Sequence, residues 1–166
     1  MCNERNMVVQ PPTVYDLQLK DGKVVQKRLE GRLVRTFRWP ATQPGLQKLY
    51  VVKHADSIVY IGQTQRPIAE RLRGGFGARG EHGYWGYQWK ALESVELLIW
   101  HFRGEEKQRV EATEAELVYL VRKNTGQWPQ FQTEIHFHNV PSARDAARAI
   151  YATLRERDNG EGRFGP

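Results

Sequence analysis

The sequence predicts a small α/β (α+β) domain, in which a mixed or antiparallel sheet of three core strands is flanked by helices over about residues 46–140. Two short apolar runs, 49–52 and 58–61, are separated by a polar turn, which is typical of a β-hairpin with a loop of about five residues. A third apolar run, 95–102, indicates a buried strand. The pattern of residues 109–123 predicts the longest helix of the chain.

A short helix is expected directly after the hairpin. Pro67 suits the first position of a helix, because the N–H group that proline lacks has no partner there in any case. Ile68 and Leu72 are one helical turn apart, so both can face the core. Arg71 lies beside this apolar stripe, where its side chain can reach a neighbouring cleft.

Residues 1–45 are predicted to form a basic N-terminal extension that contains a β-hairpin. Residues 1–12 are polar and end in two prolines, which indicates a mobile or extended arm. The pair Asp21-Gly22 stands between two apolar runs and is a strong signal for a hairpin turn. In residues 26–39, basic and apolar residues are mixed in a way that fits either a helix or strands.

The C-terminal part, residues 141–166, is predicted to be a helix followed by a flexible tail. Before it, residues 132–139 fit a last strand or an extended segment. Pro141 opens the final helix, whose apolar side continues to about Arg157. The glycine-rich residues 158–166 are expected to be flexible.

Composition favours a single soluble domain with a polyanionic partner. The 166 residues carry a formal net charge of +6, which favours polyanionic partners, most simply nucleic acid. The single cysteine, Cys2, excludes an internal disulfide and a cysteine-based zinc site, and is compatible with a reducing compartment. No stretch resembles a signal peptide or a membrane span, so a cytoplasmic protein without a membrane partner is expected.

Most of the positive charge lies in the first 49 residues, which contain nine Lys or Arg and four Asp or Glu. Two interpretations fit this excess. The basic residues either form a solvated face that keeps the protein soluble, or they contact the phosphates of a nucleic acid. The candidates for phosphate contacts are Arg32, Arg35 and Arg38.

A set of residues in a fixed order carries a family resemblance. The set consists of Tyr50 on the first strand, the triplet Tyr60-Ile61-Gly62 on the second, Arg71 on the following helix and Glu116 on the long helix. In this order the residues resemble the GIY-YIG nuclease family, although the first triplet, Lys48-Leu49-Tyr50, keeps only its tyrosine. The full ordered set is much more specific than the Tyr-Ile-Gly triplet alone.

The resemblance implies a metal-dependent endonuclease that hydrolyses phosphodiester bonds in double-stranded or branched DNA. Tyr50 and Tyr60 would lie side by side, and Tyr50 would relay or remove the proton of the attacking water. Arg71 would bind the scissile phosphate, and Glu116 would hold Mg²⁺ or Mn²⁺. Two alternatives stay open, which are a nuclease that cleaves RNA and a nucleic-acid-binding module that has the fold without the activity.

The long helix offers three acidic candidates for the metal ligand, Glu111, Glu114 and Glu116. On a helical wheel, Glu114 points closer to the centre of the apolar face than Glu116 does. The resemblance selects Glu116, because large apolar residues follow it at the spacing of the family. A solvated helix acid without a function is the alternative.

Further residues are expected to contact the nucleic acid. Around the glycine-rich segment that follows Arg71, cations and aromatic residues are interspersed in the mixture that binds phosphates and stacks on bases, although about half of these aromatics are expected to fill the core. Gly75 occupies the position where the family often has a histidine, and His82 is a looser match. Asn139 is the candidate for the family's last polar residue, with Asn124, His136 and His138 as competitors. The remaining predicted contacts are Arg66, Arg73 and Arg79.

Overall fold

The computed structural model describes residues 5–161, which form an α+β domain of six strands and three helices. A short 3-10 helix, Gln88–Ala91, lies between the first helix and the last strand. The regular elements are β1 (Thr13–Lys20), β2 (Lys23–Leu29), β3 (Arg32–Val34), β4 (Gln47–His54), β5 (Ser57–Thr64), α1 (Ile68–Gly77), β6 (Ser94–Phe102), α2 (Lys107–Thr125) and α3 (Pro141–Glu161).

The six strands form one antiparallel sheet in the order β3-β2-β1-β6-β4-β5. The predicted α+β class is confirmed, but the predicted sheet of three strands is wrong. The three predicted core strands are β6, β4 and β5, and the N-terminal strands extend the same sheet because β1 pairs with β6, with Tyr15 opposite Leu97. Residues 13–34 are therefore part of the sheet and of its core.

Two tight turns determine the conformation of the N-terminal strands. Asp21 and Gly22 both have positive φ angles, of 52° and 67°, and so do Glu30 and Gly31, at 49° and 77°. Turns of this kind match the twist of paired strands and favour glycine at the second position. The alternatives left open for residues 26–39 are thereby decided in favour of strands over Lys23–Leu29 and Arg32–Val34.

The β4–β5 hairpin has a shorter loop than the sequence predicted. The strands end at His54 and restart at Ser57, so two residues connect them instead of about five. Ala55 has a φ angle of 50°, which allows the chain to reverse within this short distance.

The two faces of the sheet are covered by different elements. On one face, here called the α1 face, buried side chains of β1, β4 and β6 pack with α1 and with the aromatic side chains that follow it. On the opposite face, here called the α2 face, Leu49, Val51 and Ile61 pack with α2 and α3. Side chains alternate between faces along each strand, so successive residues of the interior strand β4 pack into the cores on opposite faces of the sheet.

The described part of the N-terminal arm is packed against α2, contrary to the prediction of a mobile or extended arm. Met7 is buried, and its sulfur lies 3.4 Å from the hydroxyl oxygen of Thr113. Arg109 also donates a hydrogen bond to the carbonyl oxygen of Arg5. An apolar side chain within the polar arm is what anchors it.

Residues 132–139 form no strand, which rules out one of the two alternatives that the sequence left open and leaves the extended segment. The free edge of β5 is instead occupied by a side chain, since the Gln132 amide bonds both the N–H and the C=O of Ile61, each at 3.0 Å. The Phe131 N–H adds a bond of 2.9 Å to the carbonyl of Val59. These contacts satisfy the edge groups that a seventh strand would have paired.

The final helix is longer than predicted and ends at Glu161 rather than near Arg157. Asp158 forms an ion pair with the buried Lys53, and Arg157 bonds Glu96 at 3.0 Å, so this last turn is fixed to the sheet. The remainder of the predicted flexible tail, residues 162–166, lies outside the described residues. Within residues 5–161, no helix combines the length and the apolar character that a membrane span requires.

Candidate functional site

Tyr50 and Tyr60 lie next to each other on the α1 face, as predicted. In the β4–β5 pairing, Tyr50 is opposite Gly62 and Tyr60 is opposite Val52, which makes the tyrosines diagonal neighbours. Their ring centroids are 6.1 Å apart. The hairpin register alone therefore brings the two hydroxyl-bearing rings together.

Gly62 is required at its position because a side chain there would occupy the space of the tyrosines. A Cβ atom on Gly62 would lie 2.5 Å from the Tyr50 hydroxyl oxygen and 2.9 Å from a ring carbon of Tyr60. Such distances are far shorter than a van der Waals contact. The glycine of the Tyr-Ile-Gly triplet thus has a steric role in placing the Tyr50 hydroxyl.

Arg71 projects from α1 towards these tyrosines. Its Nε donates a hydrogen bond of 3.5 Å to the Tyr50 hydroxyl, and its guanidinium lies over the ring of Tyr87, 5.4 Å from the centroid. Arg71 is only half-buried, and these contacts engage one of its five N–H groups. The guanidinium is therefore both oriented and able to bind an anion that enters the site.

Tyr87 is a member of the site that the sequence analysis did not single out. Its hydroxyl forms a hydrogen bond with the hydroxyl of Tyr50. A Cβ atom on Gly75 would lie 2.3 Å from the Tyr87 ring, so the ring fills the space that a side chain at position 75 would take. A histidine at position 75, which the family resemblance would lead us to expect, would therefore clash with the Tyr87 ring.

The tyrosine hydroxyls of the site are protonated near neutral pH. Burial raises the pKa of Tyr50 more than the cation of Arg71 lowers it. Burial likewise raises the pKa values of Tyr60 and Tyr87, and the nearby Tyr50 adds to each increase. These groups can donate and accept hydrogen bonds, but they do not form phenolates without a large energetic cost.

Glu114 is a buried acid of α2 that lies close enough to this cluster to interact with it electrostatically. It is only 7% exposed, and within residues 5–161 it makes neither a hydrogen bond nor an ion pair. Burial raises its pKa to about 8, Glu111 adds to the increase and Arg71 opposes it. The carboxylate in turn contributes to the raised pKa values of Tyr50 and Tyr60, so its charge acts directly on the tyrosines.

The structure does not bring Glu116 to the tyrosines and Arg71. Its carboxylate lies 3.8 Å from Nε of Arg144 on α3, and the residue lines a groove on the outer side of α2. Two residues along a helix correspond to a rotation of about 200°, so Glu114 and Glu116 point in nearly opposite directions. The structure thus agrees with the helical wheel that Glu114 is the more buried of the two acids, whereas the resemblance selects the acid on the outer side of α2.

A second polar cluster lies beside Glu114 on α2. The Glu111 carboxylate accepts hydrogen bonds from His138 at 2.8 Å and from Gln63 at 3.3 Å, and it pairs with Lys107 at 3.2 Å. Burial alone would raise the pKa of Glu111, but the bonds from His138 and Lys107 outweigh it and the pKa is lowered. Glu111 is therefore ionised and fully paired, unlike Glu114.

The predicted nucleic-acid contacts are all exposed, and several share the α1 face. Arg66 precedes α1, Arg73 lies on it, and Arg79 and His82 belong to the loop that follows. Arg38 lies on the segment whose Ala41 carbonyl accepts the Ile68 N–H at 2.9 Å, so it also flanks α1. These residues therefore lie on or next to α1, the helix that carries Arg71, although Arg73, two residues further along, points in nearly the opposite direction to Arg71.

The other predicted contacts lie elsewhere. Arg32 and Arg35 are exposed at β3, the edge of the sheet opposite β5. Asn139 is exposed and precedes α3, and its competitor His138 is the residue that bonds Glu111. Lys48, which counts towards the basic excess, is buried and donates to the carbonyls of residues 43 and 46, each at 2.7 Å.

Comparison of the chain with protein-family models, with curated proteins and with solved structures gives no significant match in any of the three. The GIY-YIG resemblance therefore stays a prediction, and a function can be inferred only from the geometry of the side chains described above.

Proposed function

We propose that the protein is a metal-dependent endonuclease that hydrolyses DNA phosphodiester bonds at the cluster of Tyr50, Tyr87, Arg71 and Glu114. The proposal rests on one arrangement of side chains. The Arg71 guanidinium donates to the Tyr50 hydroxyl, which is bonded to that of Tyr87. The buried Glu114 lies close enough to interact electrostatically with Tyr50 and Arg71. A phosphodiesterase needs a cation for the phosphoryl oxygens, a means of orienting water and a site for a divalent metal. The cluster offers all three.

Glu114 suits a hard divalent cation. Without a cation, its carboxyl group is mostly protonated at neutral pH, because burial raises its pKa to about 8. Within the described residues there is no group of three or more His, Cys, Asp or Glu that could hold a metal, so one carboxylate would be the main protein ligand. Mg²⁺ and Mn²⁺ accept such sites, with water and phosphate oxygens completing the shell. A metal bound there would neutralise charge that develops on the phosphoryl group.

The other residues take roles that follow from their protonation states. Arg71 remains charged and would bind the scissile phosphate with the donors that Tyr50 leaves free. Tyr50 would orient the attacking water and relay its proton as a neutral hydroxyl, since burial keeps it from acting as a phenolate base. Tyr87 holds the Tyr50 hydroxyl, and Tyr60 packs beside it.

A second candidate, a binding module without activity, is favoured by one observation. The Tyr50 side chain is fully buried and its hydroxyl is already bonded to Tyr87 and Arg71. A cluster of this kind can also serve only to stabilise the fold. Binding of nucleic acid without turnover would be the result expected of such a module.

Incubation of the purified protein with supercoiled plasmid, branched DNA and RNA, each with Mg²⁺ or with EDTA, tests the proposal. We expect Mg²⁺-dependent cleavage of DNA that Arg71→Ala abolishes and Arg71→Lys fails to restore, because an ammonium lacks the planar fork. Cleavage of RNA alone would reassign the substrate. Tight DNA binding without cleavage under every condition would contradict the proposal and favour the binding module.

A further inference from the structure

A groove on the outer side of α2, here called the aromatic groove, has no part in the site proposed for hydrolysis. It lies between α2, the segment 126–140 and α3, and its volume is about 530 Å³. Its prominent lining residues are Tyr119, Trp128, Phe137, Lys123, Arg144 and Arg148.

The aromatic side chains of the groove are unusually open to solvent. Tyr119 and Trp128 are each 50% exposed, and Phe137 is 76% exposed. Single exposed aromatics are normal on protein surfaces, but three that line one groove form a patch that suits a binding partner. Their rings can each stack on a planar ligand.

The charge of the groove selects an anionic ligand. Lys123, Arg144 and Arg148 line it, against the single carboxylate of Glu116. Glu116 pairs loosely with Arg144, at 3.8 Å, and Lys123 has no ion-pair partner within residues 5–161. Arg148 pairs with Asp145 at 3.5 Å, so Lys123 is the lining cation that leaves the groove with a net positive charge.

We propose that the aromatic groove binds an unpaired strand of nucleic acid, with its bases stacked on Trp128 and Phe137 and its phosphates held by Lys123 and Arg148. Aromatic rings beside Arg and Lys are the combination with which proteins bind single strands without regard to sequence. A duplex hides the faces of its bases within its stack, so it cannot use these rings. The cations complement the phosphates and would repel a basic partner.

The aromatic groove is separate from the site proposed for hydrolysis but adjoins it. His138 lines the groove and bonds Glu111, which lies close enough to Glu114 to raise its pKa. A single strand in the groove would thus lie on the far side of α2 from Arg71. The inference does not depend on hydrolysis, since binding in the groove is measurable in a protein that does not cleave.

Fluorescence anisotropy with a labelled oligo-dT, in EDTA so that nothing is cleaved, tests the inference. We expect Trp128→Ala and Phe137→Ala each to weaken binding roughly tenfold, since one stacking contact is lost in each. The conservative variants Trp128→Phe and Phe137→Tyr keep a ring and should bind nearly as the wild type does. Trp128→Ala should weaken binding by the same factor in an Arg71→Ala background as in the wild type, which separates the groove from the proposed nuclease site.

Several results would overturn the inference. Equal affinity of wild type and both alanine variants would show that the strand binds elsewhere. Equally tight binding of a duplex of the same length, with the same response to the alanine variants, would show that stacking is not involved. Displacement of the oligonucleotide by polyglutamate at similar concentration would assign the groove to acidic protein partners.

Discussion

Glu114 shows how burial can set the properties of one residue. The side chain is buried and makes no hydrogen bond within residues 5–161, so the neutral form of the carboxyl group is favoured. An apolar side chain would be more stable there, and a buried acid that lacks a partner is more typical of functional sites than of cores. This cost to stability can be measured.

The pH dependence of stability should reveal Glu114. Burial raises its pKa from 4.5 to about 8, so between these values the folded state holds a proton that the unfolded state releases. The contribution of Glu114 to stability is therefore complete below about pH 4.5 and is lost as the pH rises through about 8. We expect Glu114→Gln to be more stable than the wild type by a few kcal/mol at pH 9, and by much less at pH 5, in urea unfolding.

Comparison with a second variant isolates this effect. Lys48, whose pKa burial lowers to about 8, acts in the opposite direction, but it cancels in the difference between wild type and variant. Glu116→Gln, on the half-buried outer side of α2, is the matched control and should follow the wild type. A Glu114→Gln protein that loses as much stability as the wild type between pH 5 and pH 9 would refute the assignment.

Tyr87 is predicted to position Tyr50 through its hydroxyl. Tyr87→Phe keeps the ring that packs on Gly75 and stacks on Trp89, at a centroid distance of 5.4 Å, so unfolding free energy should change by about 1 kcal/mol or less. The single-turnover cleavage rate should fall roughly 10- to 100-fold, because the Tyr50 hydroxyl loses one of its two hydrogen-bond partners. Tyr84→Phe, at an exposed tyrosine, is the control. An unchanged rate for Tyr87→Phe would leave Tyr87 a packing residue only.

At the scale of elements, the strands with strong local signals could be predicted and those that depend on distant partners could not. The β4–β5 hairpin, α1 and the strand β6 follow from apolar runs and turn residues in their own sequence. The pairing of β1 with β6 joins residues about eighty positions apart, and nothing in either segment specifies the other. The sheet therefore has three more strands than the sequence predicted.

The edge of β5 shows why residues 132–139 form no strand, although their sequence fits one. Residues 132–139 have the composition of a strand, but the Gln132 side chain makes the two edge bonds to Ile61 by itself. A side-chain amide carries the same donor and acceptor as a peptide group, so it can replace a strand at one position. Sequence patterns describe backbone pairing and give no signal for this substitution.

The basic residues of the N-terminal strands belong to two different places, and their contributions should differ. Arg38 flanks α1, whereas Arg32 and Arg35 lie at the far edge of the sheet. If Arg38 contacts a phosphate, Arg38→Ala should reduce the slope of log affinity for duplex DNA against log salt by about one, for all sequences. The double variant of Arg32 and Arg35 should change the slope less.

Equilibrium binding over a series of salt concentrations measures these slopes. Arg155→Ala, at an exposed arginine of α3, serves as the control for a charge lost on the α2 face. An unaltered slope for Arg38→Ala would mean that this arginine only keeps the surface soluble. A larger effect of Arg32 and Arg35 than of Arg38 would move the duplex to the β3 edge.

At the scale of the whole molecule, the interior strand β4 contributes side chains to both cores. Tyr50 faces α1 while its neighbours Leu49 and Val51 face α2. The site could be predicted in part, since Tyr50, Tyr60 and Arg71 come from one continuous stretch of sequence. Tyr87 and Glu114 could not be assigned with the same ease, because their place depends on how the loop after α1 and the helix α2 pack.

The central claim is that Glu114, and not Glu116, is the acid of a hydrolytic site. Single-turnover cleavage of DNA with Mg²⁺ by the wild type, Glu114→Gln and Glu116→Gln tests it directly, with DNA affinity in EDTA measured alongside. Both variants keep the size of the side chain and lose its charge. We expect Glu114→Gln to cleave roughly a thousandfold more slowly at unchanged or tighter affinity, and Glu116→Gln to cleave at nearly the wild-type rate. An active Glu114→Gln beside an inactive Glu116→Gln would contradict the account.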